Sequence, residues 1–252
     1  MKIPYINLEK QYKLERKKLL NVIDKSLSTG MWLGGNEVEK FEKNISQICN
    51  IKYCVSLNSG TDALTLGLHM LGVRRGDEVI TPPNSFVAST AVIVHLGAKP
   101  VFVDVKHDQN IDEQKIETKI TSKTKAIMPV HLTGRMCNMD AIINISKKYK
   151  IPVIEDGAQS ILSKYKNKNS GSWGDIGCFS THPLKNLNAA GDGGFLTTNN
   201  ESIYNRIKSL RSHGMEEDRN NVKNFGYVSR MDNIQAATVS YTHLTLPTKR
   251  IV

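Results

Sequence analysis

The chain has 252 residues, enough for one large domain or two smaller ones and for a core that needs no disulfide or metal. With 39% hydrophobic and 23% charged residues it has a globular composition, and no stretch is long and apolar enough to cross a bilayer. The net charge of +10 admits acidic partners, but Lys and Arg sit in scattered pairs without the aromatic interleaving of nucleic-acid modules; a solvated surface is the plainer account, and a phosphorylated small substrate also fits.

Met1-Lys2 starts positive but no sustained apolar run follows, which argues against a secretory leader and for a cytoplasmic protein. Cys49, Cys54, Cys137 and Cys178 lack C-x-x-C spacing and read as buried free thiols, with no metal site expected. Helical spacing predicts a helix from Gln11 to Lys25 and a second from Glu37 to Cys49. Between them Trp32 reads as a packing anchor, with a sugar or base platform as the lesser alternative.

Tyr53 to Leu57 predicts a strand that turns through Asn58-Ser59-Gly60-Thr61 into a helix. Unpaired N–H groups and two hydroxyls at a positive helix end outline a phosphate cradle, although Ser59 and Thr61 also suit ordinary capping. Further strands are expected at Glu78–Thr81, Val101–Val105, Ala126–His131, Val153–Asp156, up to Ser180 and over Phe195–Thr198, with helices over Phe86–Leu96 and Met139–Tyr149. Strands alternating with helices predict an α/β fold with a mainly parallel sheet, whose ligands gather at the strands' carboxyl ends. Ser59, Phe86, His131, Asp156, Ser180 and Lys185 all fall at such ends and are expected to share one crevice.

Alone, Lys185 on its Gly-rich turn is a surface charge and Asp156 a helix cap. Together with Phe86 and the Ser59-Gly60-Thr61 turn they request one cofactor. Pyridoxal phosphate needs a Lys for its Schiff base, an acid for its pyridine nitrogen, a face to stack on and a phosphate site.

Six segments in order carry a resemblance: Ser59–Leu64, Gly76–Ile80, Pro129–Gly134, Glu155–Gln159, Phe179–Gly194 and Ser229–Ala237. They resemble the successive motifs of the DegT/DnrJ/StrS sugar aminotransferases. The resemblance implies the fold-type I architecture of pyridoxal-phosphate enzymes, with helices on both faces of the sheet, and a homodimer. It implies transfer of an amino group, from glutamate, to a keto group on a nucleotide-linked sugar. It assigns Lys185 to the Schiff base, Asp156 to the pyridine nitrogen, Gln159 to the phenolic oxygen and Phe86 to the ring face. Gly60, Thr61 and Ser180 are assigned to the phosphate.

The sequence departs from the family at two places. The family often has Asn where Val228 stands, supplied across the dimer to the neighbour's phosphate, and Val cannot donate that bond. The resemblance covers residues 1–237 as the large domain; a small second domain of roughly a hundred residues is expected next. In its place Thr238 to Val252, with poor helix formers and a Pro, is expected to be foreign sequence on a truncated frame. Two rival functions are weighed. A pyridoxamine-phosphate sugar dehydratase resembles this family but has His at the place of Lys185, and His182 reads as a structural neighbour. A non-catalytic binding or regulatory protein is the other. No zinc helix, phosphate loop or nucleophile elbow appears.

Overall fold

The structure is a computed structural model and describes residue 4 and residues 6–215, 220–222 and 224–241. Two helices come first, α1 (Leu8–Ser28) and α2 (Asn36–Cys49). Asn7 caps α1 by accepting from the Lys10 N–H, and α2 buries a stripe of Val38, Phe41, Ile45 and Cys49 at helical spacing. Then follow β1 (Tyr53–Leu57), α3 (Gly60–Met70), β2 (Glu78–Thr81), α4 (Val87–His95), β3 (Lys99–Phe102) and the short α5 (Glu113–Ile116). The chain continues through β4 (Thr124–Ile127), α6 (Met139–Tyr149) and β5 (Ile154–Asp156) to a small hairpin, β6 (Lys164–Tyr165) and β7 (Lys168–Asn169). It ends with β8 (Ile176–Ser180), β9 (Gly194–Thr198), α7 (Glu201–Leu210) and α8 (Asn233–Val239).

One ladder runs β1-β9-β8-β5 and another β3-β2-β4. Parallel bridges from Ile127 to Val153 and from Val130 to Asp156 join them into one sheet. Every neighbouring pair in that sheet is parallel except the two that β9 makes, with β1 and β8. The expectation of a mainly parallel α/β sheet is met.

Alternating side chains point to opposite faces of a strand, and each face of the sheet has its own core. Val55, Leu57, Cys178 and Leu196 join the core that includes α3 and α4, whereas Cys54, Phe179 and Phe195 join Phe41 and Ile45 of α2. A third cluster packs Met139, Ile142 and Ile145 of α6 on Ile80 and Ile127. Helices therefore cover both faces.

Some expected boundaries move, for physical reasons. The strand expected to run to His131 stops at Ile127, because Pro129 has no N–H to give the ladder. Beyond it the chain rejoins β5, with Asp156 N–H donating to the Pro129 carbonyl at 2.9 Å and His131 N–H to the Asp156 carbonyl at 3.0 Å. The strand expected over Val101–Val105 is Lys99–Phe102; Asp104 accepts from the Val105 N–H and bends the chain away. Helix α8 runs past Ala237 to Val239 despite weak propensity, since Thr238 and Val239 are buried. Residues 242–252 of the expected foreign tail lie outside the described residues. Among the described residues no helix is long and apolar enough to cross a membrane.

Candidate active site

At the carboxyl end of β1 the chain turns into α3. Ser59 caps the helix, its Oγ accepting from the Asp62 N–H at 3.0 Å. The Gly60 and Thr61 N–H groups, next in that first turn, have no partner among the described residues. Capping and a cradle are thus compatible. Close packing forms the cradle's wall: a Cβ on Gly60 would lie 2.7 Å from Ser180 Cβ, and one on Gly194 would lie 2.4 Å from the Ser59 carbonyl carbon. Only glycine at both places lets β8 and β9 approach the turn this closely. Ser180 Oγ accepts from the His182 N–H at 3.2 Å, which leaves its own proton to donate.

Asp156 ends β5 and is buried at 5% exposure. Its Oδ1 accepts from the Ala158 N–H at 3.1 Å, and its Oδ2 from Ser89 Oγ at 2.7 Å. Ser89 lies one turn along α4 from Phe86, so one helix end carries both Phe86 and the hydroxyl that reaches Asp156. Phe86 is 70% exposed, with a ring face open. Gln159 Oε1 accepts from the Thr133 N–H at 2.7 Å, which frees its amide NH2.

Lys185 stands on the connection from β8 to β9. The Thr181 N–H donates to the Gly193 carbonyl and the Ala189 N–H to the Thr181 carbonyl, both at 2.8 Å, closing the base of this loop. Within it the Lys185 N–H donates to the His182 carbonyl at 2.8 Å, and the Leu184 N–H to His182 Nδ1 at 3.2 Å. His182 therefore shapes the turn that presents the lysine, as a structural neighbour should. Lys185 is half-buried, and its amine pairs with no carboxylate among the described residues.

The structure takes His131 out of the expected crevice. Its ring is fully buried and points inward, Nε2 lying 2.9 Å from Glu155 Oε2, while Nδ1 accepts from the Cys137 N–H at 3.2 Å. Burial opposes a second proton on this ring, and the Glu155 carboxylate beside it favours one. Nδ1 cannot carry a proton and accept the Cys137 N–H together, so in this geometry the ring holds one proton, on Nε2, and gives it to Glu155. Glu155 also accepts from Gly171, Trp173 and Gly174 N–H groups, and its role was invisible in the sequence. Ser89 was missed too, although its i+3 spacing from Phe86 was there to read.

Trp32 is 65% exposed, which overturns its reading as a packing anchor. It borders a cleft of about 1670 Å³, lined also by Arg206, Arg211, Arg230 and Met231. That cleft contains none of the cradle, Asp156 or Lys185 residues; converging donors, not volume, locate the chemistry. All four cysteines are free and buried, as expected.

The donor set around Asp156 tests the cofactor directly. Two neutral donors and no cation face it among the described residues, and a buried carboxylate in that setting calls for a positive partner such as a protonated ring nitrogen. Beside it lies a helix N-terminus with free N–H groups, suited to a phosphate. The residues fit the group.

Residues 13–245 match the DegT/DnrJ/EryC1/StrS aminotransferase family. The chain belongs to this family. It is 38% identical to a "Pleiotropic regulatory protein" of Geobacillus stearothermophilus, over 97% of this chain and 66% of that one. It is 42% identical to a dTDP-3-amino-3,6-dideoxy-alpha-D-galactopyranose transaminase of Aneurinibacillus thermoaerophilus, over 94% and 66%. Among solved structures it resembles NtdA of Bacillus subtilis with bound pyridoxamine phosphate, at a TM-score of 0.88 and 38% identity, covering 94% of this chain and 55% of that one. The chain thus spans just under two thirds of the relatives' length.

Proposed function

We propose that this chain is the large domain of a pyridoxal-phosphate-dependent aminotransferase that acts on a keto group of a nucleotide-linked sugar. The observation that carries the reading is the buried, cation-free Asp156 beside an open Phe86 face and a free helix N-terminus. The A. thermoaerophilus relative's name supports the nucleotide-linked sugar. Glutamate as donor and a homodimer rest on the family resemblance alone, and a cytoplasmic location rests on the sequence pattern.

When bound, pyridoxal phosphate supplies an electron sink for a substrate that loses a proton next to its amino group. Asp156 would hold the proton on the ring nitrogen. The N–H groups of Gly60 and Thr61 and the Ser180 hydroxyl would hold the phosphate, helped by the positive end of α3. Phe86 would cover one ring face and the Gln159 amide would donate to the phenolic oxygen. Lys185 Nζ would hold the cofactor at rest and would take and return the substrate's proton at the amino-bearing carbon. Val228 is 61% exposed and its side chain has no hydrogen bond to donate.

A regulatory protein, the second reading, has only the name of the G. stearothermophilus relative behind it, and the named transaminase relative does not favour it. One experiment separates the two. The protein is mixed with pyridoxal phosphate, reduced with borohydride and digested; the label is expected on Lys185. Glutamate should then release 2-oxoglutarate from unreduced protein, and a panel of nucleotide-linked keto sugars should restore the starting form. No label, or full turnover in Lys185→Ala, overturns the proposal.

A further inference from the structure

We infer that Ser89, backed by Ser85, is a positioning residue that fixes the charge and orientation of Asp156. The inference rests on the assignment of Asp156 to the cofactor's ring nitrogen.

Ser89 is 1% exposed and its Oγ lies 2.7 Å from Asp156 Oδ2. A carboxylate has no proton to give, so the Ser89 proton points at Asp156. The Ser89 oxygen must then be the acceptor in its 2.7 Å contact with Ser85 Oγ, and the Ser85 proton points at Ser89. Both hydroxyl dipoles run toward the carboxylate, an arrangement in which each bond strengthens the next. The local sequence holds this chain in place. Pro82 and Pro83 restrict the turn before α4, and the Ser85 N–H closes it on the Pro83 carbonyl at 3.1 Å. Helix α4 then places Ser89 four residues on, over the same point.

The consequence concerns where one proton rests. Donors aimed at Asp156 favour its ionised form and so leave the shared proton on the ring nitrogen. Without Ser89 the carboxylate would be free to rotate and would compete better for that proton, so the ring nitrogen would hold it less of the time. A tie that served only to hold α4 against β5 would not move that proton.

The test uses the full chain with pyridoxal phosphate labelled with ¹⁵N in the ring. Ring-nitrogen protonation is read by NMR and affinity by equilibrium dialysis, for wild type, Asp156→Asn, Ser89→Ala, Ser89→Thr and Ser85→Ala. Asp156→Asn should strip the ring proton. Ser89→Ala should lower its occupancy and weaken affinity about ten-fold, the equivalent of one hydrogen bond to a charged group. Ser89→Thr, which keeps the hydroxyl, should restore both, and Ser85→Ala should show a smaller shift of the same sign. If Ser89→Ala fails to fold, Ser89→Thr and Ser85→Ala carry the same comparison. A ring-nitrogen signal that moves in Asp156→Asn but in neither serine variant overturns the inference alone. A signal unmoved in Asp156→Asn, or a wild-type chain that binds no cofactor, overturns the Asp156 assignment and the inference with it.

Discussion

Replacing Glu155 by Gln tests whether this buried carboxylate stabilises the fold beneath the site. Glu155 is fully buried. Its Oε2 faces the Gly171 N–H at 3.0 Å and His131 Nε2 at 2.9 Å; its Oε1 faces the Trp173 and Gly174 N–H groups at 2.8 and 2.7 Å. An amide keeps one oxygen, so whichever way Gln turns, its NH2 meets two donors. His131 cannot relieve this by moving its proton to Nδ1, because the Cys137 N–H is already there. Each buried donor left unmatched costs about 1–3 kcal/mol, which puts the loss at roughly 2–6 kcal/mol. Against it stands the desolvation of a buried charge, itself several kcal/mol, which Gln removes. Four converging donors make the first effect win. For a chain of this size the melting temperature should fall by about 4–24 °C. Thermal and urea unfolding would measure it, with Glu117→Gln as a control, since the Glu117–Lys148 pair is at the surface and should contribute little. A Glu155→Gln protein as stable as wild type, or more stable, refutes the reasoning.

Gly194→Ala would drive a Cβ against the backbone of Ser59 and Gly60; a stability loss of about 1–3 kcal/mol and weakened pyridoxal phosphate binding are expected by unfolding and dialysis. The cysteines should be inert in the folded protein, since burial pushes Cys49 up to about 12 and Cys54 and Cys178 well above their ordinary range. A thiol reagent at neutral pH should count none of the four before denaturant and all of them after it. Burial, with Arg74 and Arg206 nearby, holds the His69 pKa below its ordinary value. The unfolded chain then takes up this proton first, so stability is full above about pH 6.5 and declines as pH falls below it, a slope that His69→Gln should flatten in unfolding measured across that range.

Much of the candidate site was legible because its residues sit where sequence rules are strongest. Gly60, Asp156 and Ser180 each follow an apolar run short enough to be a strand, and a strand end in an α/β sheet faces the ligand side. His131 shared that signal yet points inward. After Pro129 the chain leaves the ladder and returns through a bridge, and no pattern of apolar residues reports which way the next ring turns. Glu155 and Ser89 were hidden for a related cause: their partners are 16 to 67 residues away, and only the fold brings them together. Helix α8 shows the opposite error. Its last residues have poor propensity, but burial decides, since they sit under other helices.

The antiparallel strand β9 is the one irregularity in the sheet, and it explains where Lys185 stands. A parallel return from β8 would need a crossover of a dozen or more residues over a face of the sheet, which would carry the loop away from the strand's carboxyl end. Because β9 runs the other way, the connection, residues 181–193, starts and ends at the same end of the sheet. Thr181 bonds to Gly193 across its base, and the lysine stays at the end of the sheet where β1 delivers Ser59 and β5 delivers Asp156. The same reversal makes Gly194 the first residue of β9, directly against Ser59, so a single choice of strand direction sets both the lysine arm and the wall of the phosphate cradle. The close approach that excludes a side chain at Gly194 is thus the packing cost of placing an amine and an anion site at one end of the sheet.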